Sequence, residues 1–474
     1  MIIAYKFKEA FMLIGLAFIH LHLIIIIAFI ICFVIFVFVT RGRRPIANIL
    51  AWLFFMFLIP YLGIPLFLII GQRKLNWILD KKRQICHEQE GSIDYQNRIE
   101  HLLGTFNTMV ATANNHVELL ADGSKTYELI IQKIKDAKAS ILISTYRLTD
   151  DEVGNAIVKL LIEKAKQDIQ VCLLLDTIGS FMMFPRKKLK PLRKAGGSVR
   201  YIMPLFHTPF RGRVNLRDHR KIMVFDGHDA IVGGMNLAKN YMGPTPYAKR
   251  WLDLNLFIQG GAVKDLVSIF ESDWQFAASN MEFKNYQRPQ MSHSHTGVSR
   301  IQTVASGPDT IGDPLYDAVI SSIYNAKRSI YIVTPYFILD DALQKAFMIA
   351  IRRGIDVNII IPHHSNHRIA DLVRSISIRK LHTQGAKIWL HQKMIHAKAM
   401  IFDDTLAIVG SANLDLRSLL LNFEISCFLY SKTEINLVQQ WAEQLLPDCK
   451  TRFKKQKLLK MWLEDAMQLL KPLL

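Results

Sequence analysis

The pattern H-x-K-x4-D-x6-G-[GS]-x-N occurs twice in this chain of 474 residues. The first copy is His219, Lys221, Asp226, Gly233, Gly234 and Asn236; the second is His396, Lys398, Asp403, Gly410, Ser411 and Asn413. At average residue usage one copy arises by chance roughly once in ten thousand chains of this length, and two with identical spacing far more rarely. A fold for this chain therefore has to use the same unit twice.

The residues between the fixed positions indicate what that unit is. Ile222-Met223-Val224-Phe225 and Ala399-Met400-Ile401-Phe402 are short apolar runs that end at turn signals, Asp226-Gly227 and Asp403-Asp404, so each copy reads as a strand and a tight turn. Side chains two apart on a strand share a face. His219 then projects with Lys221 and His396 with Lys398, while Arg220 and Ala397 face away. The return segments bring small residues, Gly233-Gly234 and Gly410-Ser411, where a substrate could approach the backbone, followed by the amides of Asn236 and Asn413. Two such halves would surround an anion.

Cleavage of a phosphodiester needs a nucleophile, an acid for the leaving alkoxide, and positive charge or donors on the non-bridging oxygens. Two histidines, two lysines and two asparagines supply all three. No CxxC, HExxH or carboxylate cluster provides a metal site, and the tract His363, His364 and His367 reads as a polar loop because its spacing fits no metal template. Neither a metal nor another cofactor is expected.

The doubled motif resembles that of the phospholipase D superfamily, whose members join two such halves into one active site. An apparent repeat extends upstream, with Ala137-Lys138-Ala139-Ser140-Ile141-Leu142-Ile143 set against Ala326-Lys327-Arg328-Ser329-Ile330-Tyr331-Ile332. The runs Val171-Cys172-Leu173-Leu174-Leu175 and Val357-Asn358-Ile359-Ile360-Ile361 read as buried parallel strands. The expected architecture is two pseudo-symmetric phospholipase D-like α/β domains with mostly parallel sheets.

Within the superfamily the chain is most similar to the bacterial cardiolipin synthases. The supporting strings are Thr145-Tyr146-Arg147-Leu148-Thr149-Asp150-Asp151, Trp251-Leu252-Asp253, the stretch 410–418, Asn422-Phe423-Glu424 and the closing Leu469-Leu470-Lys471-Pro472-Leu473-Leu474. This resemblance makes His219, Lys221, Asp226, His396, Lys398 and Asp403 the catalytic residues and Asn236 and Asn413 the phosphate ligands. It makes Asp253 and Glu424 the carboxylates that orient the histidines. Two departures from the commoner pattern are Arg217-Asp218 before the first motif and Gly233-Gly234 in place of Gly-Ser.

Residues 11–39 are apolar except for His20 and His22, and a second apolar run covers 46–70 with Pro60 and Pro65 inside it. Each is long enough to cross a bilayer, which takes about twenty residues, and only Thr40-Arg41-Gly42-Arg43-Arg44-Pro45 lies between them. They read as a transmembrane hairpin. A cleaved signal peptide fits poorly, since the first run is too long and has no small-residue cleavage site. Arg73, Lys74, Lys81, Lys82 and Arg83 after the second run favour a cytoplasmic catalytic part on a bacterial inner membrane, against the three arginines of the hairpin loop.

A formal net charge of +19 suits work on an anionic membrane. Basic residues gather at Arg186, Lys187, Lys188, Lys190, Arg193 and Lys194, beside Phe181, Met182, Met183 and Phe184, and again at Lys450, Arg452, Lys454, Lys455 and Lys457. Both clusters suit an interfacial segment or a solvated face. The five cysteines have no framework spacing and imply no disulfide scaffold. The expected organisation is a hairpin over 1–75, a polar connector over 76–117, a first domain over 118–290, a linker and a second domain over 298–474.

The reaction implied by the resemblance is transfer of a phosphatidyl group between two phosphatidylglycerol molecules, giving cardiolipin and glycerol through a phosphatidyl-histidine. A hydrolytic phospholipase, a phosphatidylserine synthase and a nuclease share the chemistry, and the basic charge suits DNA as well as lipid. The apolar runs and the lack of an aromatic stacking platform speak against nucleic acid. A catalytically dead scaffold is at odds with intact residues at every motif position.

Overall fold

Each motif folds as a hairpin, and its aspartate sets the turn. Asp226 and Gly227 both have positive φ, 52° and 74°, and His228 N–H returns to Phe225 O at 3.2 Å, the primed turn that matches strand twist. Asp403 takes the equivalent place with φ 54° and Thr405 N–H on Phe402 O at 3.3 Å, but the residue after it has no positive φ. The hairpins are β5 (Ile222–Phe225) with β6 (Asp229–Gly233), and β13 (Ala399–Phe402) with β14 (Leu406–Gly410).

The computed structural model describes residues 2–39, 52, 54–59, 61–63, 82, 95–203, 216–277, 286–290 and 297–451. The chain forms two compact units, one built on residues up to Gln72 and one carrying the described residues from Lys82 onward.

In the larger unit the hairpins belong to one sheet of 15 strands. The remaining members are β1 (Thr112–Leu120), β2 (Ser140–Thr145), β3 (Gln170–Asp176), β4 (Ser198–Ile202), β7 (Asn255–Gln259), β8 (Ser299–Ser306) and β9 (Ser329–Val333). To these are added β11 (Asp356–Pro362), β12 (Lys387–His391), β16 (Glu424–Leu429) and β17 (Cys449–Lys450). A short parallel pair, β10 (Phe337–Ile338) with β15 (Leu414–Asp415), stands apart. The order is β17-β12-β11-β9-β13-β14-β16-β8-β1-β7-β6-β5-β2-β3-β4. Read outward from the β8–β1 seam, the motif hairpin stands third and fourth on either side, as β14-β13 and as β6-β5.

The pairing in this sheet corrects the expectation of mostly parallel strands. Only β2–β3, β3–β4, β9–β11 and β11–β12 are parallel in it, and the other pairings are antiparallel. Parallel neighbours need a crossover of about a dozen residues, such as the helices Glu152–Ala165, Asp341–Arg352 and Arg368–Thr383, whereas the motif hairpins turn back at once. Helices Ala262–Ala277 and Lys432–Gln444 cover the opposite face, so that Trp274, Phe270, Val438 and Ala442 share a core with Leu256, Ile258, Ala399 and Val409. Each Leu- or Phe-sized side chain buried there contributes roughly 1.5–3 kcal/mol.

The stretch read as a connector is partly structural core. Its helix Arg98–Gly104 buries Leu103 against the second half and pairs Glu100 with Arg300 at 2.7 Å. Strand β1 begins inside the 76–117 connector and lies in the middle of the sheet, between β8 and β7. Its polar face hides the strand from a hydrophobic pattern, because Asn115 is buried for hydrogen bonds to Ala262 N–H at 2.9 Å and Ser299 O at 3.1 Å.

In the smaller unit a helix runs over Ile2–Val39, and its stretch Met12–Ile31 has a mean hydropathy of 2.8 and almost wholly exposed apolar side chains. At 1.5 Å per residue those twenty residues span about 30 Å, the thickness of a bilayer core. The two histidines inside it are satisfied: His20 Nδ1 lies 2.8 Å from Leu16 O and His22 Nδ1 3.0 Å from the Tyr61 hydroxyl. Tyr61 belongs to the second apolar run, most of which lies outside the described residues, as do the C-terminal basic cluster beyond Lys450 and most of the linker.

Candidate active site

The motif histidines stand just ahead of β5 and β13, on extended lead-ins rather than on the strands themselves. Each lead-in is stitched to the opposite half. His219 N–H donates to Phe423 O at 2.9 Å and Phe423 N–H to Arg217 O at 2.9 Å, while Leu252 N–H donates to Met394 O at 2.9 Å and His396 N–H to Leu252 O at 2.6 Å. The residues that follow the two acceptor segments are Asp253 and Glu424. This exchange brings each carboxylate to the histidine of the other half.

His396 Nδ1 lies 2.7 Å from Asp253 Oδ2, and His219 Nδ1 lies 3.2 Å from Glu424 Oε1. A carboxylate on Nδ1 holds the proton there and leaves Nε2 with its lone pair. Both carboxylates are buried at 1% or less, whereas the imidazoles keep 22% (His219) and 12% (His396) of their surface, enough for a substrate to reach. Glu424 is fixed by Ser411 Oγ at 2.5 Å and by Asn422 Nδ2, which also approaches His219 Nδ1 at 3.3 Å. Leu254 N–H donates to Asp253 Oδ1 at 2.8 Å.

Lys221 and Lys398 are buried beside their histidines. Lys221 Nζ donates to His219 O at 2.5 Å; Lys398 Nζ donates to His396 O and lies 2.8 Å from His396 Nδ1 and 3.3 Å from Nε2. Aromatic rings wall the pair: Tyr146 meets the His219 ring edge-on at 4.3 Å, Tyr241 meets His396 at 4.9 Å, and Trp251 stacks on His396 at 5.6 Å. Tyr146 and Trp251 stand in the strings that carry the family resemblance, and Tyr241 stands outside them. Aromatic identity alone gives no signal that separates them from core.

Burial dominates the electrostatics. It pulls His219 down to about 4 against the opposing pull of Glu424, and His396 down to about 3 with Lys398 adding to the effect. Both rings are therefore neutral near pH 7. Lys398 falls to about 7, again through burial, and Lys221 falls below its ordinary value for the same reason. Burial would raise Asp253, but His396 and Lys398 outweigh it and hold the carboxyl below its usual range. Burial raises Asp415 to about 6. Two cations forced to share a dry site gain most from an anion placed between them.

Other sequence-predicted residues have structural partners. Asp226 Oδ1 accepts the N–H groups of Ala139 and Ser140 at 2.7 and 2.8 Å and Oδ2 that of Lys138 at 2.8 Å. Asp403 does the same with Arg328, Ser329 and Lys327. Both stand at the far ends of their strands from the imidazoles and lock each hairpin to the neighbouring strand. The small residues after the turns admit a protein group rather than substrate: a Cβ on Gly234 would come within 2.1 Å of Asp253 Oδ1, and one on Gly233 within 2.4 Å of Asn255 Oδ1. Asn236 Oδ1 accepts Arg147 N–H at 3.2 Å and Asn413 Nδ2 donates to Ser418 Oγ at 3.1 Å, while Asn413 Oδ1 is buried without a hydrogen bond.

Away from the imidazoles, the rings of His363 and His364 meet at 4.2 Å and His367 lies against Tyr336. Among the described residues no three His, Cys, Asp or Glu side chains are grouped as metal ligands.

The sequence profile described as "Cardiolipin synthase, PLD-like domain" matches residues 130–274 and 319–446. The major cardiolipin synthase of Bacillus subtilis is 34% identical over 92% of this chain and 95% of its own length. A cardiolipin synthase of Clostridium perfringens is 29% identical over 91% of this chain and 95% of its own length. Among solved structures, the phosphatidylserine synthase of Haemophilus influenzae superposes with a TM-score of 0.62 at 18% identity, covering 80% of this chain and all of that one, a likeness of fold alone. On the profile match and the nearly full-length relatives, the chain belongs to the cardiolipin synthase family with phospholipase D-like domains.

Proposed function

We propose that this protein is a membrane phosphatidyltransferase that makes cardiolipin and glycerol from two phosphatidylglycerol molecules. The observation that carries the reading is the cross-bracing of His219 by Glu424 and His396 by Asp253, which leaves two Nε2 lone pairs in a single cationic site. The two halves are taken as duplicated units related by a pseudo-twofold axis through the β8–β1 seam.

In the first step His219 Nε2 attacks phosphorus and the P–O bond to the headgroup glycerol breaks, with His396 giving its proton to the leaving alkoxide. The proton must first reach His396. Burial opposes that, and the phosphate anion, placed beside the ring, supplies the counter-charge that raises it. Lys221 and Lys398 neutralise the non-bridging oxygens, the charge that persists through the transition state. In the second step His396 takes the proton of a hydroxyl on another phosphatidylglycerol, the new P–O bond forms and the P–N bond breaks. Asp253 and Glu424 hold the rings through both steps. Asn236 and Asn413 offer their amide Nδ2 groups as donors to the phosphate oxygens.

The apolar N-terminal helix anchors the protein, with the second apolar run completing a hairpin on a bacterial cytoplasmic membrane and the catalytic part on the cytoplasmic side. Incubation of purified protein with labelled phosphatidylglycerol as sole lipid tests the reaction. Cardiolipin and glycerol in equal amounts are expected. Phosphatidic acid as the dominant product would make the protein a hydrolase instead.

A further inference from the structure

The loops that follow β3 and β11 occupy equivalent places in the two halves and differ in chemistry. After β11 come His363, His364, Ser365, Asn366 and His367, clamped by Arg374, which donates to the carbonyls of Pro335, Pro362 and His363. After β3 come Ile178, Phe181, Met182 and Met183, exposed by 40, 40, 87 and 42%. Among the described residues after Lys82, nine large hydrophobics are exposed, and four of them fall within this one turn.

The turn is built and not loose. Asp176 caps the helix Thr177–Phe181 through Gly179 N–H at 2.9 Å, Ser180 Oγ donates to Tyr146 O at 2.9 Å and accepts Leu148 N–H at 3.1 Å, and Phe184 is fully buried behind it. It is also tied to the chemistry. The other Asp176 oxygen accepts Asp218 N–H at 3.0 Å, one residue before His219, and Tyr146 carries the ring that packs on His219. Exposed cations follow at once: Arg186, whose guanidinium lies 4.3 Å over the Phe181 ring, then Lys187, Lys188 and Lys190. Lys188 is partly offset by Asp150 at 2.5 Å. Apolar side chains that stay in water lose free energy, and a fringe of cations excludes an apolar protein partner less readily than it attracts an anionic leaflet.

We propose that the 178–183 turn inserts into the acyl region of an anionic bilayer, with Arg186, Lys187 and Lys190 on headgroup phosphates, so that the His219 side of the site faces the lipid surface. The proposal rests on the phosphatidyl-transfer reading for its consequence but not for its first test. An environment-sensitive fluorescent amino acid is installed in place of Met182 in the full chain, reconstituted in phosphatidylglycerol vesicles. Quenching by acyl-brominated phosphatidylglycerol and protection from aqueous iodide are expected. Iodide access without bromolipid quenching overturns the proposal, whatever reaction the enzyme performs.

The second test compares wild type with the double variants Met182→Glu/Met183→Glu and Met182→Leu/Met183→Leu. On vesicles the glutamate pair lowers kcat/KM at least about tenfold and the leucine pair changes it less than about twofold; on monomeric short-chain phosphatidylglycerol neither moves it by more than about twofold. An equal loss on both substrate forms reveals a structural role and overturns the proposal, as does no loss on vesicles. Wild-type failure on both forms contradicts the phosphatidyl-transfer reading alone, and the quenching result then stands by itself.

Discussion

Asp253 closes on His396, 143 residues further along the chain, at 2.7 Å, and not on His219, the histidine of its own half. Each half thus supplies the base-side support for the other, and neither half holds a complete histidine–carboxylate pair. Replacement of Asp253 by Asn keeps the size and loses the charge that orients the Nδ1 proton. The expected outcome is a fall in kcat of about a hundredfold or more with KM nearly unchanged. Steady-state kinetics on phosphatidylglycerol measure it; a change confined to KM would reassign Asp253 to substrate binding.

The pH profile carries a distinctive shape. His219 must be neutral to attack, and with its value lowered to about 4 the free enzyme keeps a competent nucleophile well below the ordinary imidazole range. Loss of the neutral nucleophile therefore falls near pH 4 rather than 6.5, and because His396 must carry the proton and sits at about 3 in the free enzyme, kcat/KM already declines with rising pH above that point. Lys398 must be protonated to hold a phosphate oxygen, and its lowered value of about 7 steepens that decline above neutrality. Bound phosphate anion raises that group, so the alkaline limb of kcat lies at higher pH than that of kcat/KM. Coincident alkaline limbs would remove Lys398 from the phosphate site.

Arg220, between His219 and Lys221, faces the interior as the alternation requires. It meets Asp273 at 2.7 Å and Asp309 at 3.0 Å, shares both carboxylates with Lys82, and donates to Glu424 O at 3.1 Å. Its counterpart in the second motif is Ala397. Arg220→Met leaves excess buried negative charge and should destabilise the larger unit by about 3–5 kcal/mol. Chemical denaturation in detergent checks this, and an unchanged midpoint would show that Lys82 alone satisfies the two carboxylates.

Exhaustive chelation should leave turnover intact. The chemistry assigned to the two imidazoles and two ammonium groups already provides nucleophile, acid and charge neutralisation. Full loss of activity that returns with one specific divalent ion would contradict it, and His363, His364 and His367 would then be the first residues to replace.

The hairpins were legible because a strand-length apolar run and an Asp-Gly turn are local, and Gly227 at φ 74° needs no information from elsewhere in the chain. The seam was not. Asp253 and Glu424 stand out only by family resemblance, and their exchange of partners depends on the pairings of Asp218 with Phe423 and Leu252 with Ile395, which no local pattern encodes. Strand β1 escaped notice because Asn114, Asn115, His116 and Glu118 mask its alternation, and its burial comes from neighbours far away in the chain. Asp226 and Asp403 follow their histidines through a whole strand, and at about 3.3 Å per residue that carries them to the far ends of the hairpins, where they hold backbone N–H groups.

The phosphatidyl-histidine on one defined ring is the step on which everything else depends. The direct measurement is an alkaline quench of His396→Ala with phosphatidylglycerol labelled in the phosphate, followed by proteolysis and mass spectrometry. The alanine variant should form the adduct slowly and discharge it more slowly still, with the label on His219 and cardiolipin synthesis reduced by several orders of magnitude. Label on no histidine, or near-normal turnover in either His219→Ala or His396→Ala, would contradict a single site assembled from both halves.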